Sequence, residues 1–193
     1  MALKNFVNAA SRLFGFKISR AVSSFGNKLG RYGINKHDYL IAGNKITFHK
    51  LGVTVLYEKA YPVLEEYEVA VNLFGKPGTR FFTDADNNIT IEIDNITFII
   101  NDREELYILS EIFLEGSYNL LSPVNKKIAL IDIGMNVGIT SLFYASKKEV
   151  EKVFSFEPFL PTYNMALNNI KLNKSFSEKM QANNFGLAKE EGK

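Results

Sequence analysis

The sequence predicts an α/β protein in which a helical and antiparallel β region precedes the first part of a parallel sheet. Apolar residues have helical spacing at the amino terminus and alternate with polar residues from position 38 onward. After position 126, two nearly continuous apolar runs enclose a helical stretch. Such runs are typical of strands that are buried on both faces of a parallel sheet. We therefore expect three regions, residues 1–37, 38–120 and 121–193.

Length and composition restrict the class of protein. The 193 residues suffice for one large domain or two small ones, and 46% hydrophobic with 23% charged residues is typical of a globular chain. The chain has no cysteine, which excludes disulfides and a cysteine nucleophile, and its two histidines leave little material for a metal site. No apolar run reaches the roughly 18 residues of a membrane-spanning helix. We expect a cytoplasmic protein without a bound metal.

Residues 1–37 form a basic segment with seven lysines and arginines and no acidic residue. Its apolar residues recur at helical spacing between Leu3 and Phe25, which predicts one or two amphipathic helices. Three interpretations remain open: a helix packed on its own domain, a membrane-surface helix formed by residues 1–25, and a cleaved organellar presequence. The rest of the chain is net acidic, so the composition gives no sign of a nucleic-acid surface.

Residues 38–101 are interpreted as strands because apolar and polar side chains alternate there. The clearest pair is Ile89–Ile93 and Ile96–Ile100, joined by Asp94-Asn95, a dipeptide that tolerates the positive φ of a tight hairpin turn. A small antiparallel sheet follows from this pattern.

A helix is expected after this sheet. Asp102 followed by Glu105 resembles a capping box, and the apolar stripe that begins there stops at Gly116.

The residues that point to chemistry lie at the ends of the two apolar runs. The first run ends in Asp132-Ile133-Gly134-Met135-Asn136-Val137-Gly138, and Glu157 closes the second. Ligands of open parallel sheets bind beyond the carboxyl ends of the strands. Gly134 permits a sharp turn, Gly138 allows the next helix to lie close to the sheet, and the start of that helix attracts an anion. Because a carboxylate such as Glu157 can accept both hydroxyls of a ribose, a nucleoside-bearing ligand is predicted.

Asn136 discriminates among nucleoside ligands. The dinucleotide fingerprint G-x-G-x-x-G needs a glycine at this position so that the backbone can approach a pyrophosphate, so NAD is disfavoured. The G-x-x-x-x-G-K-[ST] phosphate loop is absent from the sequence. S-adenosylmethionine has no phosphate but has a ribose and a carboxylate, and it fits these residues best.

The segments Asp132–Ser141, Val153–Pro158 and Asn168–Asn173 resemble, in order and spacing, the FkbM family of S-adenosylmethionine-dependent methyltransferases. With Glu111-Ile112-Phe113 and Tyr118 upstream, the resemblance covers about residues 105–187. It implies a Rossmann-like class I methyltransferase domain that O-methylates a sugar or another hydroxylated small molecule. Such a domain has seven strands, whereas this sequence supplies two and a third candidate near 179–183, so we expect an incomplete domain.

The resemblance also implies which residues contact the cofactor. Gly134, Asn136 and Gly138 would line its methionine end, and Glu157 would hold the ribose. The residues expected to border the adenine or to contact the cofactor elsewhere are Met135, Phe156, Pro158, Phe159 and Asn184. Asp132 either contacts the ligand or orients the turn through hydrogen bonds. The sequence identifies no catalytic base.

Two other functions remain open from the residues alone: a non-catalytic interaction module with a relic half of a Rossmann unit, and an NAD-dependent oxidoreductase. An incomplete sheet also predicts an inactive fragment that forms an oligomer or binds a partner chain. The apolar residues expected to be poorly covered are Ile128, Leu130, Ile131, Val153 and Phe154.

Overall fold

The computed structural model describes residues 29–119 and 126–188, with Arg31 described by its backbone alone. This part of the chain is an α/β protein, as the sequence predicts. Its strands are β1 (Tyr39–Ala42), β2 (Lys45–Phe48), β3 (Val53–Leu56), β4 (Arg80–Thr83), β5 (Ile89–Ile93), β6 (Ile96–Ile100), β7 (Ile128–Ile133), β8 (Val150–Phe156) and β9 (Met180–Asn183). Its α-helices are α1 (Tyr61–Glu65), α2 (Tyr67–Phe74), α3 (Arg103–Phe113), α4 (Ile139–Ala145), α5 (Leu160–Leu172) and α6 (Lys174–Ser177).

The strands form three sheets of three strands each within the described residues. The first two sheets, β1-β2-β3 and β4-β5-β6, are antiparallel throughout. In the third sheet, β7-β8-β9, both pairings are parallel. The third candidate strand is thus present, and the carboxyl ends of β7 and β8 lie side by side.

The β5–β6 hairpin confirms the sequence prediction, with strands Ile89–Ile93 and Ile96–Ile100. Asp94 and Asn95 at its turn have φ values of 52° and 64°. Both lie in the left-handed region that a two-residue type I′ turn requires.

The interpretation of residues 38–101 as strands is wrong for α1 and α2. Pro62 lies in the first turn of α1, where its missing N–H costs no hydrogen bond. Tyr67, Ala70 and Leu73 of α2 are buried at a spacing of three residues, so they share one helical face. Burial of that face determines the helix, although Val69 and Val71 favour strands locally.

The expectation that β7 is buried on both faces is also wrong. Ile131 and Ile133 are 65% and 68% exposed, whereas Val153 of β8 is fully buried beneath α4. Ile128, Leu130 and Phe154, which were expected to be poorly covered, are partly buried. The physical reason is that alternate side chains of a strand point to opposite faces of the sheet, and along β7 one face is partly buried while the other, which carries Ile131 and Ile133, is exposed.

A single buried apolar cluster joins the two described stretches of chain. The ring centroid of Phe113 in α3 lies 6.3 Å from that of Phe98 in β6 and 5.5 Å from that of Phe143 in α4. These contacts link β6 of the second sheet, through α3, to α4, the helix between β7 and β8.

The described residues contain no helix with the length and apolarity needed to cross a membrane. The predicted amphipathic helices and membrane contact of residues 1–25 lie outside the described residues, as does most of the basic segment 1–37. The division of the chain at residues 37 and 120 stays a prediction.

Candidate functional site

The turn that follows β7 has three left-handed residues at alternate positions. Gly134, Asn136 and Gly138 have φ values of 83°, 52° and 84°. The backbone N–H groups of Gly134 and Met135 both donate to the carbonyl oxygen of Phe156, at 3.0 and 2.9 Å. The turn is therefore tied to the last residue of β8.

Glu157 follows β8 and its carboxylate points at this turn. Its Oε2 accepts a hydrogen bond from the backbone N–H of Asn136 at 3.0 Å, and its Oε1 accepts one from the N–H of Phe159 at 2.9 Å. The side chain is 7% exposed. The structure thus places the turn after β7 next to the acid after β8, the two features that were predicted from the sequence.

The side chain of Asp132 contacts Ser141 of helix α4. Its Oδ2 accepts a hydrogen bond from the hydroxyl of Ser141, which lies 2.8 Å from the hydroxyl of Ser155. Burial raises the pKa of Asp132 above its ordinary value, and the hydrogen bond from Ser141 opposes this rise. Of the two expected roles of Asp132, this contact favours orientation of the turn and α4.

The residues expected to contact the cofactor around the turn differ in exposure. Met135 is 2% exposed, so its side chain belongs to the interior, whereas the Phe159 ring is 72% exposed. Pro158 is exposed and Phe156 is partly buried. The Phe156 ring meets that of Phe185 edge to face, with centroids 5.3 Å apart. These aromatic rings form an apolar border beside Glu157.

Asn184 holds the backbone of this corner. Its side-chain Nδ2 donates to the carbonyl oxygens of Glu157 and Pro158 at 2.8 and 3.2 Å. The two donors of the amide thus face the protein, and its Oδ1 is the atom that can accept from an adenine amino group. The expected contact of Asn184 with adenine stays a prediction.

Gly138 permits a close approach, but the neighbour is a helix and not the sheet that the sequence suggested. A Cβ added to Gly138 would lie 3.4 Å from the Cβ of Ala166 in α5. This separation is the near limit of ordinary van der Waals contact, so α5 lies directly against the turn, and it is the left-handed φ of 84° that favours glycine at this position.

Sequence reasoning gave no role to several residues that build the site. Ser141 and Ser155 complete the Asp132 contact, and Phe185 faces Phe156. Asn169 of α5 is fully buried and donates to the carbonyl oxygen of Val137 at 2.9 Å. The signal in the sequence was the Asn168–Asn173 segment. The family resemblance includes this segment but implies no role for its asparagine side chains.

Residues 29–119 and 126–188 contain no group of three or more acidic or histidine side chains that could hold a metal ion. His37 and His49 contact each other in the amino-terminal part, where the His49 Nδ1 lies 2.9 Å from the carbonyl oxygen of His37.

Comparison with known proteins gives one partial relative. No family model matches the chain. Methyltransferase sdnD of Sordaria araneosa is 33% identical over 89 residues, which are 45% of this chain and 34% of that protein. The chain therefore spans about a third of the length of this curated relative.

Solved structures align with part of the chain at low sequence identity. TYW2 of Pyrococcus horikoshii, solved in complex with MeSAdo, is 18% identical with a TM-score of 0.36, and 69% of this chain aligns with 53% of that one. A SAM-dependent methyltransferase of Agrobacterium tumefaciens is 12% identical with a TM-score of 0.40, over 72% of this chain and 48% of that one. At these values, neither structure identifies a ligand or a reaction for this chain.

Proposed function

We propose that this chain carries the cofactor-binding part of an S-adenosylmethionine-dependent methyltransferase of the FkbM type. The observation that carries the proposal is the position of the Glu157 carboxylate against the turn Gly134–Gly138, at the carboxyl ends of two adjacent parallel strands. Ligands of parallel sheets bind at this place. The partial similarity to methyltransferase sdnD supports the same reaction class.

The residues present fit the cofactor by their hydrogen-bonding capacity. An ionised carboxylate has about four lone-pair sites, and the N–H groups of Asn136 and Phe159 use two of those on Glu157. The two that remain match the two hydroxyls of a ribose. Phe156, Phe159 and Phe185 provide an apolar border for a purine beside it.

The fit also discriminates against a pyrophosphate. Asn136 places a side chain where the dinucleotide fingerprint needs glycine, and this residue is exposed on the turn. S-adenosylmethionine has a carboxylate and no phosphate, so its binding does not require the backbone of the turn to approach a pyrophosphate.

When bound, S-adenosylmethionine supplies a methyl group on a positively charged sulfur. The contribution of this chain is to hold the ribose and adenine through Glu157 and its neighbours and thereby fix the cofactor relative to the acceptor. Positioning of this kind can supply roughly 7–11 kcal/mol of a reaction barrier. We propose a hydroxyl of a sugar or another small molecule as the acceptor, on the family resemblance.

Isothermal titration calorimetry with S-adenosylmethionine and its demethylated product, S-adenosylhomocysteine, tests the proposal. We expect Glu157→Gln to weaken binding about 10- to 100-fold, because hydrogen bonds to a charged group contribute about 1.5–3 kcal/mol. The matched control is Glu151→Gln, since Glu151 is an exposed acid of β8. Its variant should bind like the wild type.

Absence of binding heat in the wild-type chain would contradict the proposal and favour the non-catalytic interaction module. Enhanced nicotinamide fluorescence on addition of NADH would favour the oxidoreductase.

A further inference from the structure

Two buried asparagines cover the outer edge of β6: Asn169 in α5, and Asn173 directly after the last residue of that helix. Asn169 and Asn173 are 0% and 5% exposed. The Asn173 amide accepts from the N–H of Thr97 at 2.9 Å and donates to the carbonyl oxygen of the same residue at 2.7 Å. The Asn169 Oδ1 accepts from the N–H of Ile99 at 2.9 Å. Side-chain amides thus occupy the place of a neighbouring strand.

The spacing of the two amides matches the strand that they cover. Four residues of an α-helix rise about 6.0 Å. Two residues of an antiparallel strand rise about 6.8 Å. The i, i+4 pair Asn169 and Asn173 therefore reaches the i, i+2 pair Ile99 and Thr97 with little distortion of either element.

Asn169 makes a second contact that Asn173 does not make. Its Nδ2 donates to the carbonyl oxygen of Val137 at 2.9 Å, within the turn between Asn136 and Gly138. The second donor contact of Asn173 is the carbonyl oxygen of Asn169 itself, at 2.7 Å. Asn169 therefore links β6 to the turn, whereas Asn173 links β6 to α5.

The partners of Asn169 determine the orientation of its amide. The N–H of Ile99 can only donate, so it must face Oδ1, and the Val137 carbonyl can only accept, so it must face Nδ2. A side chain that lacks either group would leave a buried backbone atom without its partner.

We propose that Asn169 is a positioning residue, which sets the conformation of the turn Gly134–Gly138 and so its affinity for the cofactor. The second part rests on the proposed function. The amide holds the Val137 carbonyl, and this fixes the adjoining Asn136 N–H on the Glu157 carboxylate. Asn173 is the matched control, because it is buried at the carboxyl end of the same helix and bonds the same strand without contacting the turn.

Hydrogen exchange of the ligand-free chain, measured residue by residue with NMR, tests the positioning role. In Asn169→Ala, the amides of Asn136 and Gly138 should exchange about tenfold faster than in the wild type, since one buried hydrogen bond to the turn is lost. In Asn173→Ala, the same amides should stay within about twofold of the wild type, while the amide of Thr97 exchanges faster. Equal exchange of the turn amides in the two variants would overturn the proposal.

A second variant covers the case in which Asn169→Ala does not fold. Asn169→Asp keeps the acceptor for Ile99 but replaces the donor to Val137 with a carboxylate oxygen. We expect the same faster exchange of the Asn136 and Gly138 amides. Unchanged exchange of these amides in a folded Asn169→Asp variant would also overturn the proposal.

Titration with S-adenosylhomocysteine then separates the two proposals. Asn169→Ala should raise the Kd about tenfold and Asn173→Ala by less than about twofold. If the wild type does not bind while the turn amides respond to Asn169→Ala, the proposed function fails and the positioning of the turn stands. If the wild type binds and those amides do not respond, the role of Asn169 fails and the proposed function stands.

Discussion

Gly134 and Gly138 have nearly the same left-handed φ, 83° and 84°, but their surroundings differ. A Cβ on Gly134 would meet nothing within 4 Å, whereas one on Gly138 would lie in van der Waals contact with Ala166, 3.4 Å from its Cβ. Gly134 is thus favoured by its backbone conformation alone, whereas Gly138 is favoured by its conformation and also packs against α5.

We expect Gly134→Ala to lower the free energy of unfolding by about 1–2 kcal/mol, the ordinary cost of a left-handed L-residue. Gly138→Ala should lower it by a similar amount, because its φ is equally left-handed and its Cβ would reach only van der Waals contact with Ala166. Urea unfolding of the two variants measures both losses. A much larger loss in Gly138→Ala than in Gly134→Ala, relieved by adding Ala166→Gly, would contradict this account.

At the residue scale, the sequence predicts those backbone conformations that depend only on neighbouring residues. Asp94-Asn95 identified the hairpin turn because the φ requirement of that turn is local. The role of Asn169 could not be predicted, since its partner Ile99 is 70 positions away and a helical asparagine is ordinarily exposed. The roles of the predicted cofactor-contacting residues remain predictions.

At the scale of elements, Asp102 and Glu105 at the start of helix α3 lie in different environments. Asp102 caps the helix and accepts from the N–H groups of Arg103 and Glu104. Glu105 is 4% exposed, and its Oε2 accepts from the N–H of Asn101 at 2.7 Å. Burial raises the pKa of Glu105 to about 7, although the hydrogen bonds from Asn101 oppose the rise. The carboxyl therefore keeps its proton to a higher pH than an exposed glutamate does.

This raised pKa predicts the pH dependence of stability. The folded form binds the Glu105 proton more tightly than the unfolded form, so the stabilisation is complete below about pH 4.5 and is lost as the pH rises through about 7. The free energy of unfolding should fall by about 3 kcal/mol over this interval. The Glu105→Gln variant should lack this fall, so the difference in the free energy of unfolding between wild type and variant should change by about 3 kcal/mol from pH 4.5 to 8, as measured by urea unfolding. A variant with the wild-type pH profile would contradict the assignment to Glu105.

The sequence predicted an element correctly where a single pattern was present. It failed where a helical and a strand pattern occurred in the same segment. The α3 cap and the two β5–β6 strands follow from local residues, and the structure confirms them. In α2, Val69 and Val71 favour a strand, while the buried face of Tyr67, Ala70 and Leu73 is helical. Tertiary burial decided between the two, and that information is not local.

At the scale of the whole molecule, the parallel sheet has an open apolar side. Ile131 and Ile133 are exposed and lie on one face of β7, since side chains two residues apart point the same way. β7 also forms an edge of the described sheet. The prediction of poor coverage from the sequence thus holds at Ile131, but not at the fully buried Val153.

We expect the wild-type chain to self-associate through this side of β7. Ile131→Thr combined with Ile133→Thr should shift the chain toward monomer, because threonine retains strand propensity and removes apolar surface. Sedimentation velocity at several concentrations measures the shift. Leu40→Thr is the matched control, since Leu40 is a 57% exposed apolar residue of β1 in a different sheet. A wild type that stays monomeric, or an equal effect of Leu40→Thr, would contradict the expectation.

The amide contacts to β6 have a consequence for synthesis on the ribosome. The β4-β5-β6 sheet is translated before Asn169, which follows its partner Ile99 by 70 residues. At ordinary rates of about 5–20 residues per second, that interval lasts on the order of 4–14 s. During this time the backbone N–H and C=O groups at the outer edge of β6 can pair with other chains. Packing of α5 against β6 ends this exposure.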